Sequence, residues 1–262
     1  MDNTLADKPI GIFDSGVGGL AIAAELRKLM PQEHIIYYAD RANFPYGSKT
    51  AVEVQALAEA ATCFLLDKGV KMVVVACNTA SASALSYLRA TFAIPFIGTV
   101  PAIKPASSTT TSGIVGVMAT EGTLQAQVFK DLLSQFATGV EIVTQVCPEL
   151  VDMVEEGSVH SPELEPALRS YLEPLLQRGI DTLVLGCTHY SFLRPTVEKL
   201  VGPRVAVLET SLPVARQAYR VALEHGMARD SGGLGSLRLY TSGNEAEFLS
   251  VVDKLLAGKV LS

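Results

Sequence analysis

Basic charge is in short supply in this chain. Lysine and arginine number 21 against 27 aspartates and glutamates, for a net charge of −6. A surface of that sign does not neutralise a phosphate backbone, so no nucleic-acid partner is expected. No apolar run approaches the roughly 18 residues that a membrane span requires, so no membrane partner is expected either. Met1 to Asp7 contain neither a basic nor an apolar stretch, and no signal peptide is read there. Cysteine occurs four times, at 63, 77, 147 and 187, without a C-x-x-C pair. That spacing argues against a zinc ribbon or a thioredoxin-type centre and makes free thiols the default. Charged residues are 18% of the chain and apolar ones 48%, a balance that excludes intrinsic disorder.

What is present is a regular alternation of strand-like and helix-like segments. The pattern predicts strands over 9–13, 34–39, 70–76, 95–99, 113–118, 140–145, 181–186, 205–208 and 236–241. Between them it predicts helices over 19–30, 50–67, 78–91, 122–136, 148–156, 162–178, 190–201, 212–224 and 245–256, with a glycine-rich loop at 229–236. Such alternation points to an α/β protein with mainly parallel sheets. The 262 residues suffice for two domains.

Two cysteines share one local setting. The run Met72-Val73-Val74-Val75-Ala76 leads into Cys77-Asn78-Thr79, and Thr182-Leu183-Val184-Leu185-Gly186 leads into Cys187-Thr188-His189. Each thiol is thus expected at the carboxyl end of a parallel strand, over a helix N-terminus that would lower its pKa. A faint internal repeat accompanies them: Ile10-Gly11-Ile12-Phe13-Asp14-Ser15-Gly16 can be laid on Val115-Gly116-Val117-Met118-Ala119-Thr120-Glu121. Each half then offers a first-strand corner with a hydroxyl, Ser15 or Thr120, and a later corner with a thiol. The expected architecture is two similar α/β domains related by a pseudo-twofold, with an active site in the cleft between them. One domain comprises 9–98 plus 210–262 and carries Asp14 and Cys77. The other comprises 99–209 and carries Thr120 and Cys187. A sulfur on each side of one cleft suits a reaction in which one group removes a proton and another returns it from the opposite face. Asp14 and His189 lie where they could relay protons with the thiols.

Plainer readings compete. A cysteine after an apolar run is more often core than catalyst, and Cys63 and Cys147 are read as packing. Asp14 could serve only as a helix cap. A rival motif is Gly16-Val17-Gly18-Gly19-Leu20-Ala21, which fits G-x-G-x-x-A after a strand, with Asp40 ending the next strand as in a dinucleotide fingerprint. Against it, Asp14 would crowd a pyrophosphate, and the paired cysteine corners would be left without a role.

The sequence resembles the glutamate racemases of the aspartate/glutamate racemase superfamily. The resemblance rests on residues 11–20, Phe44-Pro45-Tyr46-Gly47, Ala76-Cys77-Asn78-Thr79-Ala80, Val100 to Ala106 and Leu185-Gly186-Cys187-Thr188-His189-Tyr190. It implies cofactor-independent inversion at the α-carbon of glutamate, a small-molecule partner, with Cys77 and Cys187 as the two acid/base residues. It also implies that Asp14, Ser15, Tyr46, Gly47, Asn78, Thr79, Thr188 and His189 line the substrate site. Thr120 and Thr123 would bind a substrate carboxylate, and Glu149 would assist the thiol on the His189 side. The family's product, D-glutamate, feeds bacterial peptidoglycan synthesis, so a cytoplasmic location is expected; a homodimer is among the assemblies allowed. Two positions depart from the family pattern: Ser191, where proline is frequent, and Leu208-Glu209-Thr210-Ser211, where Asp-Ser is frequent. The competing functions are a sister racemase acting on aspartate, a dehydrogenase, and a protein that binds an amino acid without exchanging its α-proton.

Overall fold

The computed structural model describes residues 5–230 and 232–256. Residues 1–4, Ser231 and 257–262 lie outside it, and with them the N-terminal tip, one residue of the glycine-rich loop and the end of the 210–262 segment. The first sheet is built from β1 (Ile10–Asp14), β2 (Ile35–Ala39), β3 (Met72–Val75) and β4 (Phe96–Gly98), linked by α1 (Leu20–Leu29), α2 (Ala51–Asp67) and α3 (Asn78–Thr91). After α4 (Ile103–Thr109) the second sheet takes up β5 (Ile114–Ala119), β6 (Glu141–Val146), β7 (Thr182–Leu185) and β8 (Ala206–Leu208). Its helices are α5 (Glu121–Gln125), α6 (Gln127–Phe136), α7 (Pro148–Glu155), α8 (Leu164–Gln177) and α9 (Arg194–Val201). The chain then returns through α10 (Ser211–Glu224) to β9 (Leu237–Thr241) and α11 (Glu245–Leu256). β9 pairs in parallel with β2, and α10 packs on α1, so this last segment completes the first sheet.

Every strand pair is parallel. The strand orders are β4-β3-β1-β2-β9 and β6-β5-β7-β8. Read from the same side, the first four strands of each half have one order: the first is flanked by the second and third, and the fourth lies beyond the third. β1, β3 and β7 are buried along their whole length, because helices cover both faces of a parallel sheet. The correspondence reaches single residues. Gly69 and Gly179 each follow a helix with φ of 75° and 79°, a left-handed exit that favours glycine. A Cβ on Gly11 would press on Leu65 and Val70, and one on Gly116 on Leu175 and Ile180, which are the matching positions.

Two expectations need correction, and one helix was not foreseen. The helix expected over 122–136 is divided at Ala126, whose ψ of 142° is extended; α5 faces the loop at Gly47, while α6 turns to α4. The helix expected from Tyr190 begins only at Arg194, because Thr188–Leu193 are wound as 3-10 turns around buried Thr188, His189, Tyr190 and Leu193. α4 had no periodic signal; it is short, and what holds it is the burial of Ile103 and Ala106. The two departures from the family pattern meet each other: Ser191 Oγ donates to Glu209 Oε2 at 3.0 Å, and the Ser211 N–H donates to the same oxygen at 2.6 Å.

Candidate active site

In open parallel sheets the carboxyl ends of the strands form the natural crevice, and the two sheets bring those ends together here. Cys77 leaves β3 and caps α3, its sulfur accepting from the Ala80 N–H at 3.4 Å and lying 3.7 Å from Ser15 Oγ. Asp14 ends β1 fully buried. Its carboxylate accepts from the Ser15 N–H at 2.8 Å, the Gly19 N–H at 2.6 Å and the Thr188 hydroxyl at 3.4 Å. The expected lowering of the Cys77 pKa is not found. Burial, and then the neighbouring Asp14 charge, push the thiol up to about 12, outweighing the Ala80 N–H. Burial also raises Asp14, against the opposing pull of His189 and the Gly19 N–H.

Cys187 leaves β7, and no α-helix starts above it, contrary to expectation. Its partner is the imidazole of His189, with Nδ1 3.6 Å from the sulfur. On the other side of the ring, Nε2 lies 2.7 Å from Glu155 Oε1. Burial opposes a charge on His189, but the hydrogen bonds and charges of Cys187 and Glu155 outweigh it and hold the ring well above the usual histidine range. Burial alone would raise Glu155. The His189 contact, the Val17 N–H and Arg41 instead hold it below the usual carboxylate range.

Both sulfurs line one cavity of about 30 Å³. From the first sheet's side it is walled by Asp14, Ser15, Tyr46, Gly47, Cys77, Asn78 and Thr79. Thr120, Thr123, Cys187, Thr188 and His189 close it from the second. A chain of hydroxyls crosses between the two, with Thr79 Oγ1 3.4 Å from Thr120 Oγ1 and Thr120 Oγ1 2.9 Å from Thr123 Oγ1. Asn78 is 4% exposed, yet neither its amide nitrogen nor its amide oxygen has a hydrogen-bond partner within the protein. Buried polar groups are seldom left so, and both atoms are free for a ligand. Tyr46 donates to Asp40 at 2.7 Å, and Asn43 and Ser242 donate to the same carboxylate. This network fixes the loop that carries Gly47 over the cavity.

Glu149 is the one expected site residue that the structure leaves outside. It is exposed near the start of α7, 3.5 Å from the Tyr171 hydroxyl. Glu155, six residues later, takes the place expected of it, because the buried stripe of α7 runs Leu150, Val151, Val154, Glu155. A carboxylate on an apolar stripe was the available signal. Cys63, expected to pack, is exposed. The dinucleotide reading also fails sterically. A Cβ on Gly16 would overlap the Glu155 carboxylate, and one on Gly18 would lie 2.6 Å from His189 Nδ1. The glycines admit the opposite domain, and that domain fills the space a pyrophosphate would need. Among the described residues no cluster of His, Cys, Asp or Glu is placed to hold a metal ion, and no helix is long and apolar enough to cross a membrane.

Residues 20–218 match the family described as Asp/Glu/Hydantoin racemase. The chain belongs to this racemase family. It is accordingly an isomerase, and its relatives narrow the branch. It is 47% identical over 247 residues to a glutamate racemase of Herpetosiphon aurantiacus, covering 94% of this chain and 97% of that one. Among solved structures, the Escherichia coli glutamate racemase in complex with L-glutamate and an activator superposes with a TM-score of 0.84 at 33% identity, over 95% of each chain. The Francisella tularensis glutamate racemase in complex with D-glutamate gives 0.82 at 31%, over 98% of this racemase and 97% of that one.

Proposed function

We propose that this racemase interconverts L- and D-glutamate by passing the α-proton between two thiols, without a cofactor. The observation that carries the reading is that Cys77 and Cys187 line one cavity from equivalent strand ends of two sheets. The relatives support glutamate as substrate: one neighbouring structure holds the L form and another the D form.

The α-proton of an amino acid is weakly acidic, and among the described residues no lysine lines the cavity, so the groups that do line it must stabilise the charge that develops. In the starting state Cys187 serves as the base, its sulfur 3.6 Å from the His189 ring, while burial and Asp14 keep Cys77 a thiol. The Cys187 sulfur takes the α-proton as the Cα–H bond breaks, leaving the electron pair on Cα and the adjoining carboxylate. The Cys77 S–H bond then breaks as its proton joins Cα from the opposite face. The other enantiomer requires the reverse distribution of protons, so activity falls at both pH extremes. The hydroxyls of Thr79, Thr120 and Thr123 and the free amide of Asn78 are the donors for the substrate's carboxylates. Ser15, Tyr46, Gly47 and Thr188 shape the remainder of the wall.

The Gly47 loop, which touches Thr120 and Gly122, is the segment expected to part for substrate entry. Reclosure excludes water from the carbanion-like state. On this reading the product supplies D-glutamate for peptidoglycan synthesis in the cytoplasm. Purified protein with no added cofactor should abolish the optical activity of L-glutamate and leave aspartate nearly unchanged. Faster turnover of aspartate would transfer the reading to the sister enzyme, and a requirement for a nicotinamide would overturn it.

A further inference from the structure

Glu155 belongs to the second domain but is held mostly by the first. Its Oε1 accepts from the Val17 N–H at 2.6 Å and meets His189 Nε2 at 2.7 Å. Its Oε2 accepts from Arg41 Nε at 2.9 Å, and an Arg41 terminal N–H also donates to the Glu155 backbone carbonyl at 3.1 Å. Arg41 sits in the 3-10 turn after β2, on the far side of the cleft from α7. The carbonyl it caps is among the last of α7, where carbonyls lack partners within the helix and the helix dipole is negative. The two side chains are 17% and 7% exposed, so the pair is little screened by solvent.

We propose that Arg41 is a positioning residue for the Cys187 half of the reaction, reaching across from the first sheet's side to hold the Glu155 carboxylate aimed at His189. The inference rests on the two-thiol reading above. The groups facing Glu155 and His189 are Asp14 from the end of β1, Tyr37 on β2, Arg41 from the turn after β2, Asp152 on α7 itself, and Cys187 from the end of β7. Arg41 is the permanent cation of this set, placed among carboxylates. Without it, Glu155 remains buried beside other acids and takes up a proton more readily. The His189 ring then loses the counter-charge that holds it beside the Cys187 sulfur.

The test is the pH profile of kcat/KM for glutamate in wild-type protein and in Arg41→Met and Arg41→Lys, each checked for folding by its thermal transition. Arg41→Met should lower kcat/KM by about tenfold to a hundredfold, a range set by what outer partners of an acid/base pair contribute. The fall is equal in both directions, as a reaction with an equilibrium constant of one requires. The acid limb should move to higher pH. Arg41→Lys keeps the charge without spanning both oxygens, so it should restore the limb and part of the rate. If Arg41→Met does not fold, Arg41→Lys alone decides, since a displaced limb in that variant contradicts the proposal. An active wild type whose Arg41→Met limb stays in place, whatever the rate, overturns the proposal alone. A wild type that does not racemise glutamate overturns the underlying reading and this inference with it.

Discussion

Cys77 and Cys187 occupy equivalent positions in two repeats and have unlike surroundings. One sulfur lies 3.7 Å from the Ser15 hydroxyl, beside the buried Asp14 carboxylate; the other faces an imidazole backed by Glu155. The difference predicts a titration. The thiolate absorbance lost on Cys77→Ser should develop only as pH approaches about 12, and a signal complete near the ordinary value of 9.0 would contradict the burial argument. The folded thiol holds its proton above the unfolded value. Its contribution to stability is therefore complete below pH 9.0 and is lost as pH rises toward 12. Cys77→Ser should accordingly flatten the alkaline fall in denaturation midpoint. At this scale the cysteines, Asp14 and the neighbouring hydroxyls were legible because strand ends in α/β sheets converge on one crevice. Glu155 was not singled out. It and Glu149 are the same residue type on one helix, and only the phase of the helix, with Glu155 on the buried stripe, separates them.

Among elements, the glycine turn after β1 does the most to bring the halves together. Gly18 lies against the His189 N–H and the Thr188 hydroxyl, and a Cβ there would meet those atoms at 2.7 and 2.8 Å. Gly18→Ala should therefore force the second domain's corner outward. The expected result is a kcat/KM reduced at least about tenfold with a stability loss of about 1–3 kcal/mol, the usual cost of overpacking. A variant with wild-type kinetics would show that the contact is slack. The strands were legible because burial on both faces leaves continuous apolar runs, and the α3 and α11 boundaries followed from periodicity. The break at Ala126 was not legible, since alanine is the best helix former and nothing local marks the bend. The 3-10 turns after Cys187 were equally hidden. They are set by tertiary contacts such as the Tyr190 hydroxyl on the Cys147 carbonyl at 2.7 Å.

For the whole molecule, the return of the chain to the first sheet matters most, because it builds one sheet from two distant segments. At the amino ends of the strands, away from the cleft, Lys71 Nζ donates to Glu33 Oε2 at 2.6 Å and to the Ala6 carbonyl at 2.7 Å. The Arg229 N–H reaches the other Glu33 oxygen at 2.7 Å. This buried clasp joins the N-terminal turn, the α1–β2 connection, β3 and the loop after α10. Lys71→Met leaves a buried carboxylate without its cation and should cost about 3–5 kcal/mol, read as a lowered thermal transition. The kcat/KM of the folded fraction should stay unchanged, and a selective kinetic defect would mean that the clasp also shapes the cleft. The pseudo-twofold was legible in the repeated strand-and-cysteine pattern, whereas the clasp was not, because its members are far apart in sequence. The most direct measurement at this scale follows glutamate racemisation in heavy water with wild-type protein, Cys77→Ala and Cys187→Ala. Two-thiol exchange predicts deuterium at Cα of the wild-type product and loss of racemisation from either enantiomer in both variants. A near-normal rate in either variant would contradict it.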